Sequence, residues 1–351
     1  SQDWTLPEPE AAQYTDEMMN NAKAFSDTAM VVITRVGGEG ADLPTDVSQV
    51  TYDAGHSYND FEPGEHYLQL SKTEKDMIDL VCKNFDKVVV VYNGANAMEL
   101  GWVKDYSQIK SVVWCAGTGQ SGFNALGSIL CGDVNPSGRT IDTFVYDLTQ
   151  TPTANNFGNF NYTNMDEFKA NSFGADTIPA FVNYVEGIYV GYKFYETAAA
   201  EGLIDYDKTV VYPFGRGLSY TTFTQSLNSV TETDGTITVD VTVTNTGSAS
   251  GKEVVEVYYN PPYTNGGIEK ASANLIGFAK TSELAPGASE NVTVTFKAED
   301  MASYDTYGKG CYVLEKGDYV ISINADSHTV LDSKVYNVAS DIVYDLSLIH
   351  I

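Results

Sequence analysis

The sequence predicts an α/β protein with a mainly parallel sheet sandwiched by helices over residues 1–222 and an all-β sandwich over 223–340. Residues 341–351 are left as an unassigned tail. Three observations predict this. Helical and strand-like patterns alternate from about residue 10 to 222, as they do where helices connect parallel strands. After Thr222 the apolar residues switch to period two. At 351 residues the chain is long enough for two cores.

Met18, Ala22 and Phe25 fall at helical spacing ahead of Ala29-Met30-Val31-Val32-Ile33, a run that reads as a buried parallel strand. Arg35-Val36-Gly37-Gly38-Glu39-Gly40-Ala41-Asp42 follows directly. In open α/β sheets, ligands meet the loops beyond the carboxyl ends of strands. Glycines there let the chain turn sharply, so that Glu39 can project. Taken alone, the segment fits two readings: a carboxylate placed for chemistry, or a solvated loop glutamate between turn glycines. Residues 43–67 form a long polar stretch, and a loop of that length in a compact domain is usually functional. Ser71-Lys72-Thr73-Glu74 is a capping box, opening a helix with Met77, Ile78, Val81 and Phe85 on one face. Residues 88–92 and 112–114 read as strands. Residues 123–131 read as a helix, stopped at Gly132 and Asn135-Pro136-Ser137-Gly138. Tyr184, Tyr189, Tyr192 and Tyr195 recur at helical spacing and read as packing residues, with Glu186 on the same segment. Beyond 222, Ile237, Val239, Val241 and Val243 alternate with Thr and Asp. Residues 254–258, 275–278, 292–296 and 319–323 continue as short strands with turns between them, and no helix is expected there.

A formal net charge of -27 excludes nucleic acid and anionic membrane as partners. No apolar run approaches the ~20 residues that span a bilayer. The chain opens Ser1-Gln2-Asp3 without a basic-then-apolar leader; this reads as an excised boundary and leaves the compartment undetermined. The four cysteines, Cys82, Cys115, Cys131 and Cys311, lack C-x-x-C spacing, and three lie in apolar contexts suited to free thiols. His56, His66, His328 and His350 are too scattered for a zinc site, so no metal is expected.

Gly117-Thr118-Gly119-Gln120-Ser121-Gly122 spells G-x-G-x-x-G between a strand and a helix, with Asp142 about 20 residues onward. The strand is not the first of the sheet, and Asp142 follows a turn. The favoured reading is that these glycines let the helix approach the sheet closely. An NAD-binding oxidoreductase is the minor alternative.

Several of these segments together resemble the carboxyl-side half of glycoside hydrolase family 3, the β-glucosidase type. The Glu39 loop is similar to the family's S-R-x-S-G-E-G-x-D-R. Residues 113–139, 183–195 and 212–223 look like three further family motifs in order. Tyr212-Pro213-Phe214-Gly215-Arg216-Gly217-Leu218-Ser219-Tyr220-Thr221-Thr222-Phe223 is the most specific of them. The β part resembles the fibronectin type III-like (immunoglobulin-like) domain that follows in that family. The resemblance implies a retaining β-glycosidase acting on β-linked glucosides or oligosaccharides, with Glu39 as general acid/base. Arg35 and Asp42 are candidates to orient the loop or bind substrate, with a salt-bridged structural pair the favoured reading for both, and no cofactor is implied. The family position matching Glu186 is structural. Leu43 stands where the family has arginine. The family's (β/α)8 barrel, which carries the nucleophile, is not in the sequence. A barrel domain in cis or in trans is therefore the expected partner, and this chain alone is expected to be nearly inactive. A non-catalytic carbohydrate-binding or scaffolding module is the alternative reading, and a homo-oligomer is left open.

Overall fold

The computed structural model describes residues 8–37, 42–50, 60–157, 160–164, 170–172, 175–177 and 179–344. The chain divides into two compact units, Ser1–Val134 with Phe144–Tyr146 and Asn135–Thr143 with Asp147–Ile351. The change to period two after residue 222 therefore falls inside the second unit.

In the first unit, α1 (Asp16–Phe25) precedes β1 (Thr28–Thr34), and α2 (Lys72–Asn84) precedes β2 (Lys87–Asn93). β3 (Ile109–Trp114) and α3 (Phe123–Leu130) follow. The strands form a parallel sheet in the order β1-β2-β3, with Val31 opposite Val90 and Val90 opposite Val112. β2 is central, and Val88, Val90, Val91 and Tyr92 are buried on both faces. The run at β1 behaves differently from the expected buried strand. Val31 and Ile33 are buried, whereas Met30 and Val32 are 55% and 45% exposed. β1 is an edge strand, and among the described residues only the Val31 and Ile33 face is packed into the core.

α2 begins as its sequence dictates. Ser71 Oγ accepts from Glu74 N at 3.2 Å, and Glu74 Oε2 accepts from Ser71 N at 2.9 Å. Met77, Ile78, Cys82 and the C-capping Phe85 are buried along one stripe. Ser71→Ala should lower stability by about 1 kcal/mol, because it strips one donor of its cap. Urea unfolding of the chain would check this, and an unchanged midpoint would refute it.

The second unit is built around a β-sandwich. β4 (Phe223–Thr233) and β5 (Thr236–Asn245) form a hairpin closed by Asp234 and Gly235, both at positive φ. That is the backbone a two-residue turn requires to match strand twist. β6 (Val254–Asn260), β7 (Asn274–Lys280), β8 (Ser289–Lys297), β9 (Gly317–Asn324) and β10 (Val330–Val338) complete it. One sheet runs β8-β5-β4 and the other β7-β6-β9-β10. Ile237, Val239, Val241 and Val243 meet Val255, Val257, Tyr319, Ile321 and Ile323 in a single core. Ala298–Met301 is a single 3₁₀ turn in a region expected to lack helix.

The tyrosine-rich segment departs from its expected helix. Gly187 and Gly191 both sit at φ +56°, which a continuing α-helix cannot contain, and α4 spans only Tyr192–Ala200. Tyr184 is 75% exposed, whereas Tyr195 is buried and Tyr192 stacks on Phe214. Glu186 accepts a hydrogen bond from Asn156 Nδ2 at 2.6 Å.

The outer face of the second sheet carries a buried ionic group. Arg139 pairs with Glu253 and lies 4.0 Å from Glu256, whose Oε2 accepts from the Tyr258 hydroxyl at 2.9 Å. Burial pushes the Glu256 carboxyl up to about 7, against the Tyr258 hydrogen bond and Arg139, which favour the anion. The folded state thus holds a proton there that the unfolded chain has released. This contribution to stability is fully present below about pH 4.5 and is lost as pH rises through about 7. Its size is of order 3 kcal/mol. Glu256→Gln should remove that fall between pH 5 and 8 in thermal unfolding, and a variant with the parent's pH slope would contradict the assignment.

Candidate functional site

Where β1 ends, its next residues are tied to their neighbours. Arg35 N donates to Asn93 O at 2.9 Å, and Val36 N donates to the Tyr67 hydroxyl at 3.0 Å. A Cβ on Gly37 would stand 3.2 Å from Asn96 Oδ1. Gly38, Glu39, Gly40 and Ala41 lie outside the described residues. Asp42 is exposed, and Leu43 packs against the buried cluster of Val47, Phe61 and Tyr67. Val47 N donates to Glu65 O at 2.9 Å and Tyr67 N to Pro44 O at 3.1 Å. Tyr67 thus anchors both arms of the segment, holding the incoming one with its hydroxyl and the outgoing one with its backbone N–H. Leu43 explains itself here: at this position the side chain joins an apolar cluster.

Arg35 is 8% exposed, and all five of its N–H donors are engaged. Nε donates to Tyr67 O at 2.6 Å, and Nη1 donates to Thr34 O and Glu74 Oε1, both at 2.7 Å. Nη2 donates to Gln69 O and, at 2.7 Å, to Glu74 Oε2. Burial works against the charge, and the two-pronged Glu74 carboxylate more than offsets it, so the guanidinium is held above its ordinary value. A sugar contact from Arg35 would have to break one of these bonds. Every Arg35 donor is thus spent where the segment begins, and its ionic partner is Glu74, not Asp42.

The neighbouring strand ends are similarly locked. Asn93 Nδ2 donates to Cys115 O at 2.7 Å and Trp114 Nε1 to Gly94 O at 2.8 Å. His66 accepts from Leu68 N at Nδ1, 3.2 Å, which assigns the proton to Nε2, and Nε2 lies 2.9 Å from Glu99 Oε1. The sequence signals found the capping role of Glu74 but not its pairing with Arg35. They also missed Tyr67, Asn93 and the His66–Glu99 pair, because these contacts join residues far apart in the chain. Among the described residues, no cluster of His, Cys, Asp and Glu could hold a metal ion.

The G-x-G-x-x-G stretch does not bring a helix onto the sheet. Positions for a Cβ on Gly117 and Gly119 have nothing within 4 Å, and α3 buries no residue. Its glycines make the turn instead: Gly119 sits at φ +61°, and a Cβ on Gly122 would stand 2.4 Å from Thr118 O.

Comparisons with known proteins agree with one another. Residues 10–192 match the glycosyl hydrolase family 3 C-terminal domain, and residues 253–327 match a fibronectin type III-like domain. The chain is 35% identical to β-glucosidase A of Butyrivibrio fibrisolvens, over 95% of this chain and 39% of that protein. It is 32% identical to a β-glucosidase of Ruminococcus albus, over 89% of this chain and 28% of that protein. Among solved structures, a β-glucosidase from Paenibacillus barengoltzii superposes with a TM-score of 0.76 at 31% identity, over 97% of this chain and 33% of that one. β-Glucosidase 3B of Thermotoga neapolitana, in complex with glucose, gives 0.76 at 29%, over 98% and 42%. The chain therefore spans well under half the length of these relatives.

Proposed function

We propose, from the premise that the chain belongs to glycoside hydrolase family 3, that it supplies the general acid/base to a retaining β-glucosidase whose nucleophile lies in polypeptide outside this sequence. Glu39 is the acid/base. It protonates the glycosidic oxygen as the bond breaks, then deprotonates the water that releases the sugar from the enzyme. The nucleophile, from a barrel domain, stands about 5 Å away across the sugar.

One observation carries this reading. The segment bearing Glu39 leaves the carboxyl end of a parallel strand with each arm rooted in a buried cluster, one through Arg35 and the other through Leu43. Loops so placed are where α/β sheets meet their ligands, and firm roots hold a catalytic group in register. Arg35 positions the loop through Glu74 and Tyr67, and Asp42 orients its outgoing arm. The relatives named above are β-glucosidases, which supports a β-linked glucoside as substrate.

The first test asks for complementation. The 351-residue chain is assayed on an aryl β-glucoside alone, then with the barrel half of a related β-glucosidase fused or added. Hydrolysis only in the combined sample supports the reading. If the fused protein binds insoluble glucan but shows no turnover, a non-catalytic module is the better description.

A further inference from the structure

The second unit carries a half-open cavity of about 640 Å³ that no step above uses. Small-molecule sites typically measure roughly 300–1,000 Å³. Along β9, Tyr319, Ile321 and Ile323 face the core, so the alternate residues Val320, Ser322 and Asn324 face the other way and line the cavity. The end of α4, the turn at Tyr206, the end of β6, the approach to β7 and the start of β10 also line it.

Its polar side is organised around Glu196, which is 8% exposed. Oε1 accepts from the Tyr206 hydroxyl at 2.8 Å and Ser327 Oγ at 2.9 Å, while Oε2 lies 2.8 Å from His328 Nδ1. The Tyr206 ring stacks flat on the imidazole, with centroids 3.7 Å apart and planes 9° apart. In the neutral tautomer with Nδ1 donating to the carboxylate, His328 Nε2 is left as an acceptor. Asn324 Oδ1, buried in the lining, has no hydrogen-bond partner, and turning its amide toward the cavity breaks no bond made by that atom.

These features select a ligand class. No Lys or Arg lines the cavity, so an anion finds no counter-charge. The Glu196 carboxylate is already matched on both oxygens, so an ammonium finds no free partner. What remains are acceptors that want hydroxyl donors, serine hydroxyls, and apolar patches from Ala199, Ala273 and Val320 suited to a C–H face. We propose that this cavity is a non-catalytic binding site for a neutral, pyranose-sized polyol, with D-glucose as its representative. The proposal does not rest on the hydrolase reading.

Calorimetric titration of the 351-residue chain with D-glucose and with inorganic phosphate tests it. Saturable 1:1 binding of glucose is expected, with no heat from phosphate. Ala200 is exposed at the cavity wall, so Ala200→Trp plugs it without disturbing the core. Ala200→Trp and His328→Ala should each weaken glucose binding by at least about tenfold, with the parent's unfolding midpoint retained for the former. Glu39→Gln should bind glucose as the parent does, which separates this site from the acid/base loop. The proposal is overturned if glucose fails to saturate, if phosphate binds with comparable affinity, if both cavity variants bind like the parent, or if Glu39→Gln abolishes binding.

Discussion

Glu39→Gln, in the chain joined to a barrel domain, should lower turnover of an aryl β-glucoside with a poor leaving group by about 10²–10⁴-fold. Glutamine keeps the size and polarity of the side chain but has no proton to give. The loss should shrink sharply for a dinitrophenyl glucoside, whose leaving group departs without protonation. For that substrate the second step becomes limiting, and a small anionic nucleophile such as azide should restore rate by replacing the activated water. The pair of substrates therefore separates a lost acid from a damaged loop, since damage would slow both alike. Equal loss on both substrates, or none on either, would remove Glu39 from the acid/base role.

Arg35→Ala should destabilise the chain by about 3–5 kcal/mol, the usual penalty for stranding one member of a buried ion pair. Glu74 would be left as a carboxylate at 12% side-chain exposure, facing the space the guanidinium filled. The backbone carbonyls of Tyr67 and Gln69 would lose their donors as well. The double variant Arg35→Met, Glu74→Leu should recover much of that stability, because the uncompensated charge is gone. Its β-glucosidase activity in the barrel-joined form should nevertheless stay low, since the Thr34, Tyr67 and Gln69 carbonyls would lose the guanidinium that ties them together. Denaturant unfolding and kcat measured on the same samples would show the split. If Arg35→Ala unfolds at the parent's midpoint, the pair is not carrying the loop root.

Much of the fold was legible in local pattern. The capping box at Ser71 and Glu74, the central strand Lys87–Asn93 and the alternation of Ile237 to Val243 each follow from periods and caps within a few residues. The family motifs named the loop proposed to carry the acid/base. Less legible were features set by neighbours. Whether 29–33 lies inside the sheet or at its edge depends on what pairs beside it, and the same five residues suit either place. The tyrosines at 184–195 keep helical spacing while Gly187 and Gly191 turn the chain out of a helix.

By itself the sequence determined the α/β-then-β order, the family and the residue type available at position 39, because these depend on short-range periodicity and on motifs read in order. Only the tertiary structure decided that Arg35 spends its five donors on Glu74 and three backbone carbonyls, and that Leu43 joins Val47, Phe61 and Tyr67. It alone gathered Glu196, Tyr206 and His328 around one cavity. Hydrogen bonds and packing act over a few ångströms of space, whatever the separation along the chain, so contacts such as Arg35 to Glu74, 39 positions apart, and Glu196 to His328, 132 apart, leave no local trace to read.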